Sequence, residues 1–201
     1  MRDHCLATPG LGWLGVVVWA LALTGMRISE LVSLRWADVD LAAGTVSLKD
    51  ESGLSAAKRN GRAARTTKTG GGRTFPIHDD LRPVLEGLPR HPDGFVFRGP
   101  GGGRLTDRLV RRELKAKVIV PLSARFPTPD GEVGFRDGTP HSFRHFFCSL
   151  CANGRVPEQM LMRWLGHKSS AMVRHYYHAH DEEARRHMGR VSLGGPEAAW
   201  G

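Results

Sequence analysis

The chain has 201 residues, is 40% hydrophobic and carries a formal charge of +9 with a pI near 10.2. That suits one domain with a real core, and among partners it favours a polyanion, nucleic acid before membrane, while charge alone fits a soluble basic protein with no such role equally well. The three cysteines, Cys5, Cys148 and Cys151, make no disulfide framework, which argues for a reducing, cytoplasmic setting.

Residues 11 to 24, LGWLGVVVWALALT, predict a helix buried on most sides and broken at Thr24-Gly25. The run is too short for a comfortable membrane span, and no Ala-x-Ala site followed by an exported-looking domain marks it as a signal peptide. A second helix begins near Met26, with Ile28, Leu31, Val32 and Trp36 inward. Arg27 and Glu30 are three apart on its other face, where an ordinary surface ion pair is the plain alternative. Residues 38 to 48 predict two short strands about an Ala-Gly turn. The following basic stretch to Arg65 has no periodicity. Its Lys58, Arg59, Arg62 and Arg65 suit either a phosphate-contacting arm or a solvated insertion.

TTKTGGGRTFPIH predicts strand, glycine turn and strand, with Lys68 at the hairpin. Residues 79 to 89 predict a short helix with Pro83 in its first turn, and GFVF at 94 to 97 a strand or buried anchor. Thr106 caps a helix over 107 to 120 whose Arg108, Arg111, Arg112, Lys115 and Lys117 form a basic surface. Residues 121 to 138 read as a connecting loop.

The last third, residues 139 to 180, predicts three short helices. Thr139 and Pro140 start the first, which ends at Asn153-Gly154, with Phe143, Phe146, Phe147 and Leu150 facing the core and His141 and Arg144 on a different side. Pro157 opens the second, with Met160, Leu161, Trp164 and Leu165 as its buried stripe. His167 follows its closing Gly166. A third helix carries Arg174, Tyr176 and Tyr177. His141, His145, Cys148 and Cys151 share a stripe, but it rises about 15 Å along one helix while zinc bonds are about 2.0–2.3 Å, so no metal site is expected.

GMRISELVSLRWADVD, TKTGGGRTFPIH, HSFRH and LGHKSSAMVRHYYH, in that order, resemble the catalytic domain of the tyrosine recombinases, the phage-integrase family. The resemblance covers residues 11 to 180. It implies a mainly α fold with a small antiparallel β-sheet (α+β), a catalytic domain over residues 1–180 and a C-terminal helix and tail over 181–201 that is the candidate segment for exchange in trans. It also implies that Arg27 and Arg144 clamp the scissile phosphate, that Lys68, His141 and His167 complete the site, and that Tyr176 is the nucleophile. Tyr176 keeps a nine-residue spacing from His167, and Tyr177 falls one residue late. Glu30 matches the acidic residue that supports the first arginine.

The chemistry implied is transesterification. Rigid guanidinium forks stabilise charge growing on the phosphate oxygens, and loss of one such donor typically costs about 3–4 kcal/mol in the barrier. His141 is the candidate base for a phenol of ordinary pKa near about 10, and Lys68 the candidate acid for the 5′ oxygen. The 3′-phosphotyrosine link conserves the bond energy, so neither ATP nor a metal or other cofactor is needed. The implied partners are double-stranded DNA, contacted also by Arg111, Arg112, Lys115 and Arg174, and further copies in a tetrameric synapse, with a monomer expected without DNA and no membrane.

Family members usually carry a separate N-terminal domain that closes a clamp on DNA, whereas this chain begins almost at the catalytic domain, so weak affinity and poor site choice are expected. The stretch from Lys49 to Arg65 is also longer than the usual link into the hairpin. A type IB topoisomerase, with the same chemistry in a monomer, and a catalytically incomplete DNA-binding remnant are the alternative readings.

Overall fold

The computed structural model describes residues 1–51, 53–54, 71–166 and 173. Within them the chain is mainly helical with one small antiparallel sheet. Helix α1 (Arg2–Ala7) leads into α2 (Gly12–Thr24), whose Leu14, Val17, Val18, Leu21 and Leu23 are all buried. Being apolar all round, α2 occupies the middle of the core and packs against α1 and α7. No helix among the described residues is long and apolar enough to cross a membrane.

Gly25 ends α2 in the left-handed region at φ 59°, its N–H returning to the Leu21 carbonyl. A Cβ there would lie 2.5 Å from Phe147 and 2.9 Å from Leu165, so only glycine fits both the backbone and the space. Helix α3 (Ile28–Val32) is a turn shorter than the sequence suggests. Its run is cut at Arg35 and Trp36, because residues 94–97 pair there: Trp36 N–H donates to the Gly94 carbonyl and Val96 N–H to that of Leu34. Phe95, Val96 and Phe97 are buried, so this segment is an anchor rather than a sheet strand.

Strands β1 (Val39–Asp40), β2 (Thr45–Leu48) and β3 (Arg73–Pro76) form the sheet in that order, antiparallel, with Val46 opposite Phe75 and Leu48 opposite Arg73. The Asp40 carboxylate accepts from Ala43 N–H and shapes the expected turn. The first strand expected around Lys68 lies outside the described residues. Helix α4 (Arg82–Glu86) has Pro83 in its first turn, as its missing N–H requires.

Thr106 caps α5 (Asp107–Leu114) by accepting from Leu109 N–H. The helix then passes through a π turn (Lys115–Ile119) into α6 (Val120–Leu122). Pro121 offers no N–H to the Lys117 carbonyl, and the His4 imidazole of α1 donates to it instead at 2.8 Å. The stretch after α6 is not plain loop: it holds 3-10 turns at Ser123–Arg125 and Phe135–Asp137.

Helix α7 (Ser142–Asn153) starts two residues later than Pro140, since Thr139 uses its hydroxyl to accept from His141 N–H in a local turn. The expected inward stripe also turns. Phe143 and Phe147 are buried, but Phe146 is 52% exposed and Leu150 is 37% exposed. The centre of the buried face is instead Arg144, 1% exposed, with Cys148, Cys151 and Ala152. Helix α8 (Glu158–Leu165) follows Pro157 and buries Leu161 and Leu165; Met160 is exposed and Trp164 half-buried. A satellite cluster of Phe147, Cys148, Cys151, Leu161, Leu165 and Val173 joins α7 to α8.

Candidate functional site

Four chain segments distant in sequence meet around three buried charges, Glu30, Arg73 and Arg144. Arg27 precedes α3, and Glu30 one turn on reaches back so that Arg27 N–H donates to its Oε2 at 2.7 Å. The Arg27 guanidinium donates to Glu30 Oε1 at 3.1 Å. The pair is not an ordinary surface one: the Glu30 side chain is 3% exposed and that of Arg27 20% exposed.

The second partner of Glu30 is Arg73, at the start of β3. Its guanidinium forks onto the carboxylate, at 2.9 Å to Oε1 and 2.6 Å to Oε2, while its Nε–H donates to the Trp164 carbonyl in α8 at 2.7 Å. Sequence reasoning missed Arg73. The signal was present: Arg73 and Phe75 alternate along β3 and Ile77 continues the phase just past its end, and a residue in phase with two buried apolar ones points the same way. Burial pushes the Glu30 carboxyl up, but hydrogen bonds and charge from Arg73, then from Arg27, outweigh it and hold it below the usual carboxylate range.

Arg144 is held by backbone. It donates to the Gly25 carbonyl past the end of α2 and to the Leu165 carbonyl at the end of α8, both at 2.6 Å. Carbonyls at helix C-termini carry partial negative charge, so two helix ends face this one cation. Burial, followed by the charge of Arg27, pushes the guanidinium pKa down to about 10, which leaves it charged at neutral pH. Arg27 and Arg73 oppose its charge and Glu30 supports it. Among the described residues, Arg27 and Arg73 thus bind Glu30, and Arg144 feels the charges of all three.

His141 stands at the N-terminus of α7, exposed, its ring edge-on to His145 at 5.0 Å between centroids. Burial and then the charges of His145, Arg144, Arg27 and Arg111 hold its pKa below the usual histidine value. The structure therefore brings Arg27, Glu30, His141 and Arg144 into one electrostatic neighbourhood. Arg111, Arg112 and Lys115 lie exposed along α5 and the π turn, each with a local partner: Arg111 with Asp107, Arg112 with Glu113, and Lys115 with the Arg136 carbonyl. Lys58, Arg59, Arg62, Arg65, Lys68, His167, Arg174, Tyr176 and Tyr177 lie outside the described residues, as does the helix expected after residue 180. All three cysteines are free and buried, and burial pushes the Cys151 thiol up to about 12.

Comparison with known proteins agrees with this architecture. The tyrosine recombinase XerC of Bifidobacterium longum (strain DJO10A) is 25% identical over 191 residues, covering 94% of this chain and 50% of that protein. The chain thus spans about half the length of the curated relatives it matches. Among solved structures, the Tn1549 transposon integrase in complex with a circular intermediate DNA shares the fold, at 22% identity and a TM-score of 0.69 over 94% of this chain and 62% of that one. The catalytic domain of bacteriophage HP1 integrase does so too, at 23% identity and a TM-score of 0.54, covering 92% of this chain and 87% of that one. Residues 11–183 match the Phage integrase family, and the chain belongs to it.

Proposed function

We propose that this chain is the catalytic domain of a site-specific DNA recombinase, cutting and rejoining strands through a 3′-phosphotyrosine intermediate. The observation that carries the reading is the cationic cluster, where Arg27 and Arg73 both bind Glu30 and buried Arg144 lies within reach of their charges. Guanidiniums gathered in a desolvated site favour an anion with fixed oxygens, which a phosphodiester supplies. The relatives named tyrosine recombinase support the same reading.

In this mechanism Tyr176 attacks the phosphorus atom, and its proton passes to His141, whose depressed pKa keeps it neutral and able to accept. Arg27, Arg144 and His167 stabilise the phosphorane oxygens. Lys68 protonates the leaving 5′ oxygen, and a 5′ hydroxyl of another strand reverses the step. Exposed Arg111, Arg112 and Lys115 hold the duplex, with Lys58, Arg59, Arg62, Arg65 and Arg174 as further contacts. Four copies assemble on DNA, with the segment after residue 180 exchanged between neighbours. The buried free thiols fit work in the cytoplasm.

A pool of nicked duplexes that release the cut end traps covalent protein. Wild type and Tyr177→Phe are expected to give the adduct, and Tyr176→Phe none. An adduct from Tyr176→Phe overturns the choice of nucleophile. Trapping by no protein favours a DNA-binding remnant, and relaxation of supercoils without strand exchange favours a topoisomerase.

A further inference from the structure

Arg73 has no place in the mechanism just given, yet it is among the most constrained side chains of the site. It is 9% exposed, it occupies the inward register of β3, and its guanidinium uses Nε, NH1 and NH2 at once. The partners sit on different segments: Glu30 lies 43 residues earlier in the chain and Trp164 lies 91 residues later. Gly166 packs on the same side chain; a Cβ at Gly166 would stand 3.0 Å from Arg73 Cδ.

We infer that Arg73 is a positioning residue, acting through Glu30 on Arg27 and through the Trp164 carbonyl on the turn that leads to His167. This rests on the proposed function, and the geometry explains why a third arginine is needed. Glu30 must present Oε1 to the Arg27 guanidinium and Oε2 to the Arg27 N–H. A carboxylate free to rotate would make these bonds only part of the time. The fork from Arg73 fixes both oxygens in one plane, so the orientation of Arg27 is set through the carboxylate the two arginines share. The Nε–H bond ties the same guanidinium to the C-terminal turn of α8, three residues ahead of His167 in the sequence. Neither hydrogen bond reaches the reacting phosphate. The role is registration of two donors that come from opposite ends of the chain.

Lysine at this position keeps the charge but lacks the planar fork. Two measurements on Arg73→Lys test the inference. The first needs neither DNA nor turnover: nitrogen-15 relaxation of the Arg27 side-chain Nε–H. Arg27 is expected to be ordered in wild type and to gain mobility in Arg73→Lys and in Glu30→Gln alike. Unchanged order of Arg27 in Arg73→Lys overturns the inference. The second is single-turnover trapping on the duplex selected from the nicked pool. Arg73→Lys is expected to form adduct about 30-fold more slowly at saturating DNA with its Kd within about threefold of wild type, and the loss should shrink to less than about threefold in an Arg27→Lys background. An equal loss in both backgrounds, or a loss confined to Kd, overturns it. If wild type gives no adduct the recombinase reading fails, while the relaxation experiment still decides the role of Arg73. Where Arg73→Lys does not fold, Arg73→Gln, which keeps one donor arm, carries the same relaxation measurement.

Discussion

At the scale of single residues, Glu30 joins two arginines at the centre of the site. Its two oxygens take four hydrogen bonds from Arg27 and Arg73 with the side chain nearly out of water. Replacing it by glutamine leaves Arg73 buried without its counter-charge, and urea unfolding is expected to show a loss of about 3–5 kcal/mol. The pH dependence follows from the lowered carboxyl pKa. The contribution is full above the ordinary value of 4.5, because folded and unfolded chains are both ionised there, and it is lost as pH falls through the lower folded value. Urea midpoints taken from neutral pH down through this range should fall with acid, and Glu30→Gln should flatten that part of the profile.

His141 moves oppositely in charge but not in direction. Its pKa is below the ordinary 6.5, so it stays neutral further into acid than a free histidine. With His141 as the base, the rate of adduct formation should hold steady below pH 6.5 before it falls, and Arg111→Ala, which removes one of the charges acting on it, should move that fall toward higher pH. Single-turnover rates across pH check both statements.

At the scale of elements, the ends of helices do the positioning. The end of α2 supplies Gly25, whose carbonyl binds Arg144 and whose missing Cβ makes room for Phe147 and Leu165. Gly25→Ala combines a left-handed backbone with overpacking against two core side chains. A destabilisation of about 2–4 kcal/mol is expected, together with slower adduct formation, since the Gly25 carbonyl shifts with the backbone. A melting temperature within a degree of wild type would contradict it. Helix α7 shows what element-level reading can and cannot do. Its C-terminal end was legible from Asn153-Gly154. Its rotation was not, because a pattern of apolar side chains alone assigns arginine to water, while here two carbonyls from other helix ends accept from Arg144 and hold it in the buried face. Phe146 and Leu150 lie on the flank in consequence. In β3 the period of two does place Arg73 inward, but nothing local says that Glu30 awaits it.

For the whole molecule, the net charge of +9 and the exposed row along α5 predict salt-sensitive binding to duplex DNA. Arg112→Ala should weaken binding nearly equally for all sequences and reduce the slope of log affinity against log salt by about 1. A slope equal to that of wild type in fluorescence-anisotropy titrations would remove Arg112 from the interface.

The sequence by itself determined the family and the mainly helical composition with its small sheet, because these rest on short motifs and on periodicities of a few residues. Tertiary structure alone decided that Glu30 also holds Arg73 and that two helix ends hold Arg144. Those contacts link residues 21 to 119 positions apart, and a burial-dependent electrostatic pairing has no local signature for a sequence to carry.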